Sequence, residues 1–129
     1  MALLIDTGPL ELLRRRDRRV ESLALQYYPP VLPLPVAGEF LFGQLLAGVA
    51  PEALMRAQEF LGGFEVLRPD AGTALTYVRL RSQAKRAGHI LPDPDLWIAA
   101  LSLQHQIRLV TIDTHFNLLP DLRPWLTKI

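Results

Sequence analysis

The chain has 129 residues, half of them hydrophobic, which is enough for one domain with a substantial core. This composition excludes a disordered or low-complexity chain, and the absence of cysteine excludes disulfide scaffolds, zinc–thiolate sites and thiol nucleophiles. The 14 Lys and Arg residues and the 13 Asp and Glu residues give a net charge of +1, so the positions of the charges matter more than their sum. We expect a single domain over residues 1–129.

In the first half of the chain, apolar runs alternate with segments of helical periodicity. The run at residues 2–5 predicts a strand buried on both faces, and the Asp6 and Thr7 that follow are typical of a helix cap. The elements predicted here are a strand over 2–5, helical segments from about 9 to 28 with a break near 16–18, a strand over 31–34, and helices over 36–48 and 51–61.

The second half continues this alternation. Asp70 is a predicted helix cap, and Gly88 is a predicted stop signal. The predicted elements are a strand over 64–67, a helix from Asp70 to about Ala87, a helix over 95–104, a strand over 107–112, and a last strand within 122–129. Strands that alternate with helices indicate an α/β fold, namely a three-layer α/β/α domain around a central, mostly parallel sheet.

Two apolar segments bear on where in the cell the protein resides. Residues 1–5 have no basic flank and their apolar run stops at Asp6, so we expect no signal peptide. Residues 31–50 are apolar enough to suggest a membrane span, but prolines and Glu39 interrupt them. We interpret this segment as a strand followed by a helix, and we expect a soluble, cytoplasmic protein with no membrane contact.

Two predicted strands end in an aspartate, Asp6 after the first and Asp113 after the strand over 107–112. Ligands of parallel α/β proteins bind beyond the carboxyl ends of the strands. Either aspartate alone is typical of a cap or a turn. Both together, at one edge of the sheet, indicate a functional site.

Glu39 interrupts an apolar helix face. Its neighbours three and four positions away are Val36, Phe42 and Gly43, so we expect its carboxylate to be buried and to need a partner. Gly43 costs a helix about 1 kcal/mol relative to Ala, and clearing space beside Glu39 is one reason to tolerate it. The alternative is a solvent-facing Glu at the edge of the helix.

Asp93 and Asp95 have different predicted roles. Asp93 precedes Pro94, a pattern that predicts an N-cap followed by proline at the first helical position. Asp95 then lies in the first turn, where the helix dipole favours negative charge. Because Asp95 precedes an apolar face, we expect it to point toward the edge of the sheet.

If Asp6, Glu39, Asp95 and Asp113 converge, their repulsion has to be offset. Two carboxylates about 4 Å apart repel by roughly 4 kcal/mol at an effective dielectric constant near 20, a large share of a stability of about 5–15 kcal/mol. A bound cation neutralises such a cluster, and oxygen ligands favour Mg²⁺ or Mn²⁺. An ion held in this way suits the hydrolysis of phosphodiester bonds.

Three segments of the chain share a pattern with a known family. They are residues 4–10 (Leu-Ile-Asp-Thr-Gly-Pro-Leu), residues 38–43 (Gly-Glu-Phe-Leu-Phe-Gly), and residues 95–100 (Asp-Leu-Trp-Ile-Ala-Ala) followed by residues 109–116 (Leu-Val-Thr-Ile-Asp-Thr-His-Phe). The chain thereby resembles PIN-domain ribonucleases, most closely the toxins of VapBC-type toxin–antitoxin pairs. The resemblance covers nearly the whole chain, and it departs at Gly8, where many members have Ser.

This resemblance implies an endoribonuclease that depends on Mg²⁺ or Mn²⁺ and hydrolyses RNA with a metal-activated water. It also implies a homodimer and a cognate antitoxin protein that blocks the site. The implied site consists of the catalytic and metal-binding acids Asp6, Glu39, Asp95 and Asp113 and the supporting hydroxyls of Thr7 and Thr111. Asp93 is an additional acid, which could either cap the helix or assist at the metal.

Basic residues near this pattern are weaker candidates for contact with RNA. Arg14, Arg15 and Arg16 belong to a group of five arginines within residues 14–19, and a second basic group lies within residues 79–86. A solvated helix surface is the more common role for such groups. His115, two residues after Asp113, is a further weak candidate for substrate contact.

Two other functions remain open from the sequence. A catalytically silent PIN-like module that binds RNA or protein would keep the same fold. The segment Asp6-Thr7-Gly8 is also shared with aspartic proteases, whose all-β fold conflicts with the helical periodicity of residues 36–61 and 70–104.

Overall fold

The structure, a computed structural model, describes all of residues 1–129. Its central sheet has five strands, all parallel, in the order β3-β2-β1-β4-β5. The strands are β1 (Leu3–Ile5), β2 (Pro30–Pro33), β3 (Glu65–Leu67), β4 (Arg108–Thr111) and β5 (Leu126–Lys128). The predicted α/β class is confirmed, and the sheet is parallel throughout.

Helices connect the strands. They are α1 (Thr7–Arg14), α2 (Arg18–Gln26), α3 (Leu34–Leu46), α4 (Pro51–Gly62), α5 (Ala71–Arg86), α6 (Asp93–His105), and the 3-10 helices His115–Leu118 and Pro120–Trp125. The predicted break between α1 and α2 is confirmed, because the Asp17 side chain caps α2 by accepting hydrogen bonds from the backbone N–H groups of Arg19 and Val20.

The sheet is built around β1. The register pairs Leu4 of β1 with Val31 of β2 on one side and with Leu109 of β4 on the other. All three residues of Leu3–Ile5 are fully buried. A strand whose two faces are both covered explains why its sequence is apolar without alternation.

Helices cover both faces of the sheet. Helix α1 contacts α2 and α3, and α3 contacts α4, whereas α5 packs against α6, which contacts the second 3-10 helix. Right-handed crossovers from β1 through β2 to β3 put α1–α4 on one face, and the return toward β4 and β5 puts α5 and α6 on the other. This arrangement is the predicted three-layer α/β/α fold.

The predicted last strand within residues 122–129 is confirmed, whereas the predicted N-cap of α6 is wrong. The last strand is limited to Leu126–Lys128, because Pro120–Trp125 forms a 3-10 helix. Helix α6 begins at Asp93, so Asp93 is not the N-cap. Pro92 takes that role, and its carbonyl accepts hydrogen bonds from the N–H groups of Asp95 and Leu96.

The apolar stretch over residues 31–50 divides as predicted, into β2 and then α3. Every helix in the chain is too short or too polar to span a bilayer.

Candidate metal centre

The predicted acids gather where the strand order reverses, between β1 and β4. Parallel α/β proteins bind their ligands in the crevice at such a switch point. Asp6 directly follows β1, and Asp113 lies two residues after β4. Glu39 comes from α3, which follows β2, and Asp95 comes from the first turn of α6.

Two hydrogen bonds, one to each carboxylate oxygen, hold the Asp6 side chain in one orientation. Oδ1 accepts a hydrogen bond of 2.9 Å from the Thr7 N–H, and Oδ2 accepts one of 2.7 Å from the Thr111 hydroxyl. Asp6 is the N-cap of α1, where the helix dipole favours its negative charge. The residue is only 7% exposed, so its carboxylate is largely withdrawn from solvent.

Thr111 connects Asp6 to Asp113. While its hydroxyl donates to Asp6, the same oxygen accepts a hydrogen bond of 2.9 Å from the Asp113 N–H. Thr111 is 1% exposed, so this bridge lies beneath the acids. Thr7, the other predicted supporting hydroxyl, contributes its backbone N–H to Asp6, and its buried Oγ1 has no hydrogen-bond partner.

Asp95 and Asp113 meet at the ring of His115. His115 Nδ1 lies 3.3 Å from Asp95 Oδ2 and 3.2 Å from Asp113 Oδ1. The backbone N–H of His115 also donates to Asp113 Oδ1 over 2.8 Å, which turns the chain back toward the acids. The sequence indicated His115 only weakly, although an Asp two residues before a His is a recognisable signal for such a turn.

Glu39 differs from its prediction in burial. The residue is exposed, whereas Val36 and Phe40 carry the buried face of α3. A Cβ atom at Gly43 would meet nothing within 4 Å, because the space beside it is open. The prediction that Gly43 clears space for Glu39 is therefore wrong. Glu39 nevertheless borders the site, since the charges of Asp6 and Asp95 both act on its carboxylate.

The electrostatics show that the acids crowd one another. Burial raises the pKa of Asp6 above its usual range, despite the hydrogen bond from Thr111. Although Glu39 is exposed as a residue, partial desolvation of its carboxylate raises its pKa, and the charges of Asp6 and Asp95 raise it further. The pKa of Asp95 is raised by burial first and then by Asp6 and Asp113, although the hydrogen bond with His115 opposes this.

The donor set of this cluster fits a divalent cation. The ligand atoms of Asp95, Asp113 and His115 lie within 4.8 Å of one another. Every Lys or Arg ion pair in the protein involves other carboxylates, so no Lys or Arg side chain neutralises the four acids. A cluster of mutually repelling carboxylates, two of them buried, is the environment that a bound cation stabilises.

The structure directs the Asp93 side chain elsewhere. Its carboxylate accepts a hydrogen bond from the Tyr77 hydroxyl and lies 3.7 Å from Arg81 Nη1. The Tyr77 ring stacks on Trp97, with ring centroids 4.2 Å apart. Asp93 therefore belongs to a contact between α5 and α6. Its role as an additional metal ligand stays a prediction, since its contacts are with Tyr77 and Arg81.

The predicted arginine group lies at the far end of α1 from Asp6. Arg14 and Arg15 pair with Glu11, and Arg16 pairs with Glu21. Contact between these arginines and RNA stays a prediction. Another basic surface lies in a groove between α5 and the start of α6, where the lining residues include Arg81, Lys85, His89 and Asp93.

Gly8, where the resembled family often has Ser, allows a close approach. A Cβ atom at this position would lie 2.7 Å from Ile112 Cδ1. Ile112 is the residue between Thr111 and Asp113. A side chain at position 8 would therefore require the Ile112 side chain to shift.

The chain belongs to the PIN-domain family, because the sequence profile of the PIN domain matches residues 3–122. Its fold is similar to that of a chain in VapBC-1 from nontypeable Haemophilus influenzae, with 25% identity and a TM-score of 0.84 over 99% of this chain and 98% of that chain. A chain in the DNA-bound VapBC from Salmonella typhimurium gives the same TM-score and coverage at 19% identity.

A more distant similarity is to VapBC-5 from Mycobacterium tuberculosis, a member of the VapBC family of toxin–antitoxin systems. The identity is 23% and the TM-score 0.69, over 92% of this chain and 90% of that chain. No curated protein sequence matches significantly. The resemblance to VapBC-type toxins is therefore confirmed at the level of the fold.

Proposed function

We propose that the protein is a metal-dependent endoribonuclease that hydrolyses RNA phosphodiester bonds. One observation carries this proposal: Asp6, Glu39, Asp95 and Asp113 face one another at the switch point of the sheet, with raised carboxylate pKa values for the first three and no Lys or Arg partner. Membership of the PIN-domain family supports it. These four acids are the proposed catalytic and metal-binding residues.

The residues around the acids have separate tasks. Thr111 and the Thr7 N–H orient Asp6, while Asp95 and Asp113 hold the opposite side of the centre. A bound Mg²⁺ or Mn²⁺ would supply the activation of a water molecule and the neutralisation of phosphate charge. The Arg81–Lys85 groove beside α6 provides positive charge for the RNA backbone.

We also propose that the protein is a toxin with a cognate antitoxin. The structural relatives from VapBC toxin–antitoxin systems support this assignment. So does an apolar surface on α3 and α4, where large hydrophobic side chains are exposed; they are Phe42, Leu45, Leu46 and Met55. Cytoplasmic location, where RNA is found, and the homodimer that the family resemblance implies complete the proposal.

A cleavage assay tests the nuclease function. Wild-type protein with Mn²⁺ or Mg²⁺ should cut RNA, EDTA should stop the reaction, and Asp6→Asn or Asp95→Asn should lower the rate by more than about 100-fold. Asp121→Asn is the matched control, because Asp121 pairs with Arg79 outside the site. Wild-type protein that stays inert with both ions would indicate a silent binding module, and equal cutting by all variants would remove the acids from the reaction.

The aspartic protease alternative is wrong. In this fold Asp6-Thr7-Gly8 begins helix α1 at the end of a parallel strand, whereas that class requires an all-β structure.

A further inference from the structure

The ring of His115 is the one nitrogen donor inside the acidic cluster. Its Nδ1 is 3.3 Å from Asp95 Oδ2 and 3.2 Å from Asp113 Oδ1, and these three atoms belong to the group that can share an ion. The sequence alone predicted a site with oxygen ligands only. The structure adds an imidazole to it.

The spacing of these atoms fits neighbouring positions around one ion. In an octahedral complex with bonds of about 2.1 Å, adjacent ligand atoms lie about 3.0 Å apart. The two distances from Nδ1 are close to this value before any ion is bound. Nδ1 of His115 is therefore already placed where a ligand of such an ion would be.

The backbone fixes the ring in this position. His115 begins a 3-10 helix, and its N–H group donates to Asp113 Oδ1. The ring nitrogens have no hydrogen-bond partner other than these acids, and the side chain is 46% exposed. Exposure of the ring leaves room for an ion and for substrate at the same edge.

We propose that His115 Nδ1 is a ligand of the divalent ion and that it makes the centre prefer Mn²⁺ to Mg²⁺. This inference rests on the proposed metal-dependent function. Ligation uses the Nδ1 lone pair, so the ring proton is then on Nε2, which faces away from the acids. Imidazole suits first-row transition ions, whereas Mg²⁺ takes oxygen ligands and keeps its waters.

Metal binding by the whole protein tests the ligand directly. The affinity for Mn²⁺ is measured from the electron paramagnetic resonance signal of free Mn²⁺, and the affinity for Mg²⁺ from its competition with Mn²⁺. His115→Asn keeps an amide donor near the Nδ1 position but removes the imidazole. His105→Asn is the matched control, because His105 is the exposed last residue of α6, the helix that carries Asp95 at its other end.

We expect His115→Asn to weaken Mn²⁺ binding by about tenfold or more and Mg²⁺ binding by less than about threefold. His105→Asn should change neither. If the binding of both ions weakens equally, His115 only positions the acids. If the Mn²⁺ affinity does not change, His115 takes no part in binding, and either result overturns the assignment.

Pulsed electron paramagnetic resonance gives a second measurement without a substitution. Mn²⁺ bound to wild-type protein should show the modulation of a directly coordinated ¹⁴N nucleus, which changes to that of ¹⁵N when the histidines are ¹⁵N-labelled. Bound Mn²⁺ without nitrogen modulation overturns the ligand assignment and leaves the proposed nuclease intact. Mn²⁺ that binds through nitrogen while RNA stays uncut contradicts the proposed nuclease alone, and failure of both ions to bind overturns both.

Discussion

Thr111 and Asp6 are 105 positions apart in the chain, yet the Thr111 hydroxyl donates a buried hydrogen bond of 2.7 Å to Asp6 Oδ2. The same oxygen accepts from the Asp113 N–H, so one hydroxyl ties the ends of β1 and β4 together. The geometry of the acidic cluster therefore depends on a hydroxyl group that is not one of its acids. Residues that hydrogen-bond to metal ligands commonly set the orientation of those ligands.

Removing that hydroxyl should damage both the fold and the site. We expect Thr111→Val to lower the free energy of unfolding by about 1–3 kcal/mol, because it leaves buried polar groups unpaired. It should also weaken Mn²⁺ binding by about 10–100-fold. Thr111→Ser retains the hydroxyl and should stay close to wild type in both measurements, by urea unfolding and metal titration. Equal effects of Val and Ser would show that the methyl group, not the hydroxyl, matters.

Neutralising one acid should stabilise the metal-free protein. In EDTA at pH 7, we expect Asp6→Asn to raise the melting temperature by several degrees, or about 1 kcal/mol, because burial and repulsion from Asp113 both disfavour the charged carboxylate. Mg²⁺ or Mn²⁺ should raise the melting temperature of the wild type and have little effect on the variant. Asp121→Asn removes an attractive pair with Arg79 and should give no gain. A destabilised Asp6→Asn protein would contradict the repulsion argument.

The two basic surfaces should differ in their contribution to RNA binding. We expect the double variant Arg81→Gln, Lys85→Gln to weaken RNA binding and to reduce the slope of log affinity against log salt by about 0.7 for each RNA phosphate that the variant no longer neutralises. The double variant Arg14→Gln, Arg15→Gln should have a smaller effect, since Glu11 already pairs with both arginines at the far end of α1. Filter binding at several salt concentrations makes the comparison. The reverse order would assign the RNA surface to α1.

Acid should remove the stabilising effect of the α5 cap. Hydrogen bonds from Gln104 first, and then from the Thr73 N–H, lower the pKa of Asp70. A carboxyl group whose pKa is lower in the folded state stabilises it above the ordinary value, and this contribution is lost as the pH falls through the lowered value. Wild type should therefore be more stable than Asp70→Ala at about pH 6, with a smaller difference near pH 2.5.

Urea unfolding at the two pH values measures this loss. Glu59→Gln serves as the control, since Glu59 is exposed and makes no hydrogen bond. The difference in the free energy of unfolding between Glu59→Gln and wild type should not become smaller at the lower pH. A constant difference between wild type and Asp70→Ala would show that the cap acts without its charge.

The fold was largely predictable because its signals are local. The apolar runs at β1 and β4 predicted buried parallel strands, and Asp70 and Gly88 marked the limits of α5. Gly88 has a φ of 80°, which glycine adopts without strain. The errors fell where neighbouring residues compete for one role, as at Pro92 and Asp93, because either is compatible with the start of a helix.

The site was predictable in part. Asp6 and Asp113 follow from their positions after two strands of one sheet. The exposure of Glu39 did not follow, because periodicity alone does not reveal which helix edge faces a cavity. His115 was underestimated for a related reason: the spacing from Asp113 predicts the turn made by the His115 N–H, but it does not show that the ring then lies against Asp95.

The placement of β1 between β2 and β4 has a consequence for the newborn chain on the ribosome. The first three strands are synthesised long before β4, so one edge of the apolar segment Leu3–Ile5 has no partner during most of translation. Only when Thr111 has left the exit tunnel can it join Asp6 to Asp113. The proposed metal centre is therefore incomplete until synthesis is nearly finished, and we expect a chain that ends before β4 to lack this centre and to be prone to aggregation.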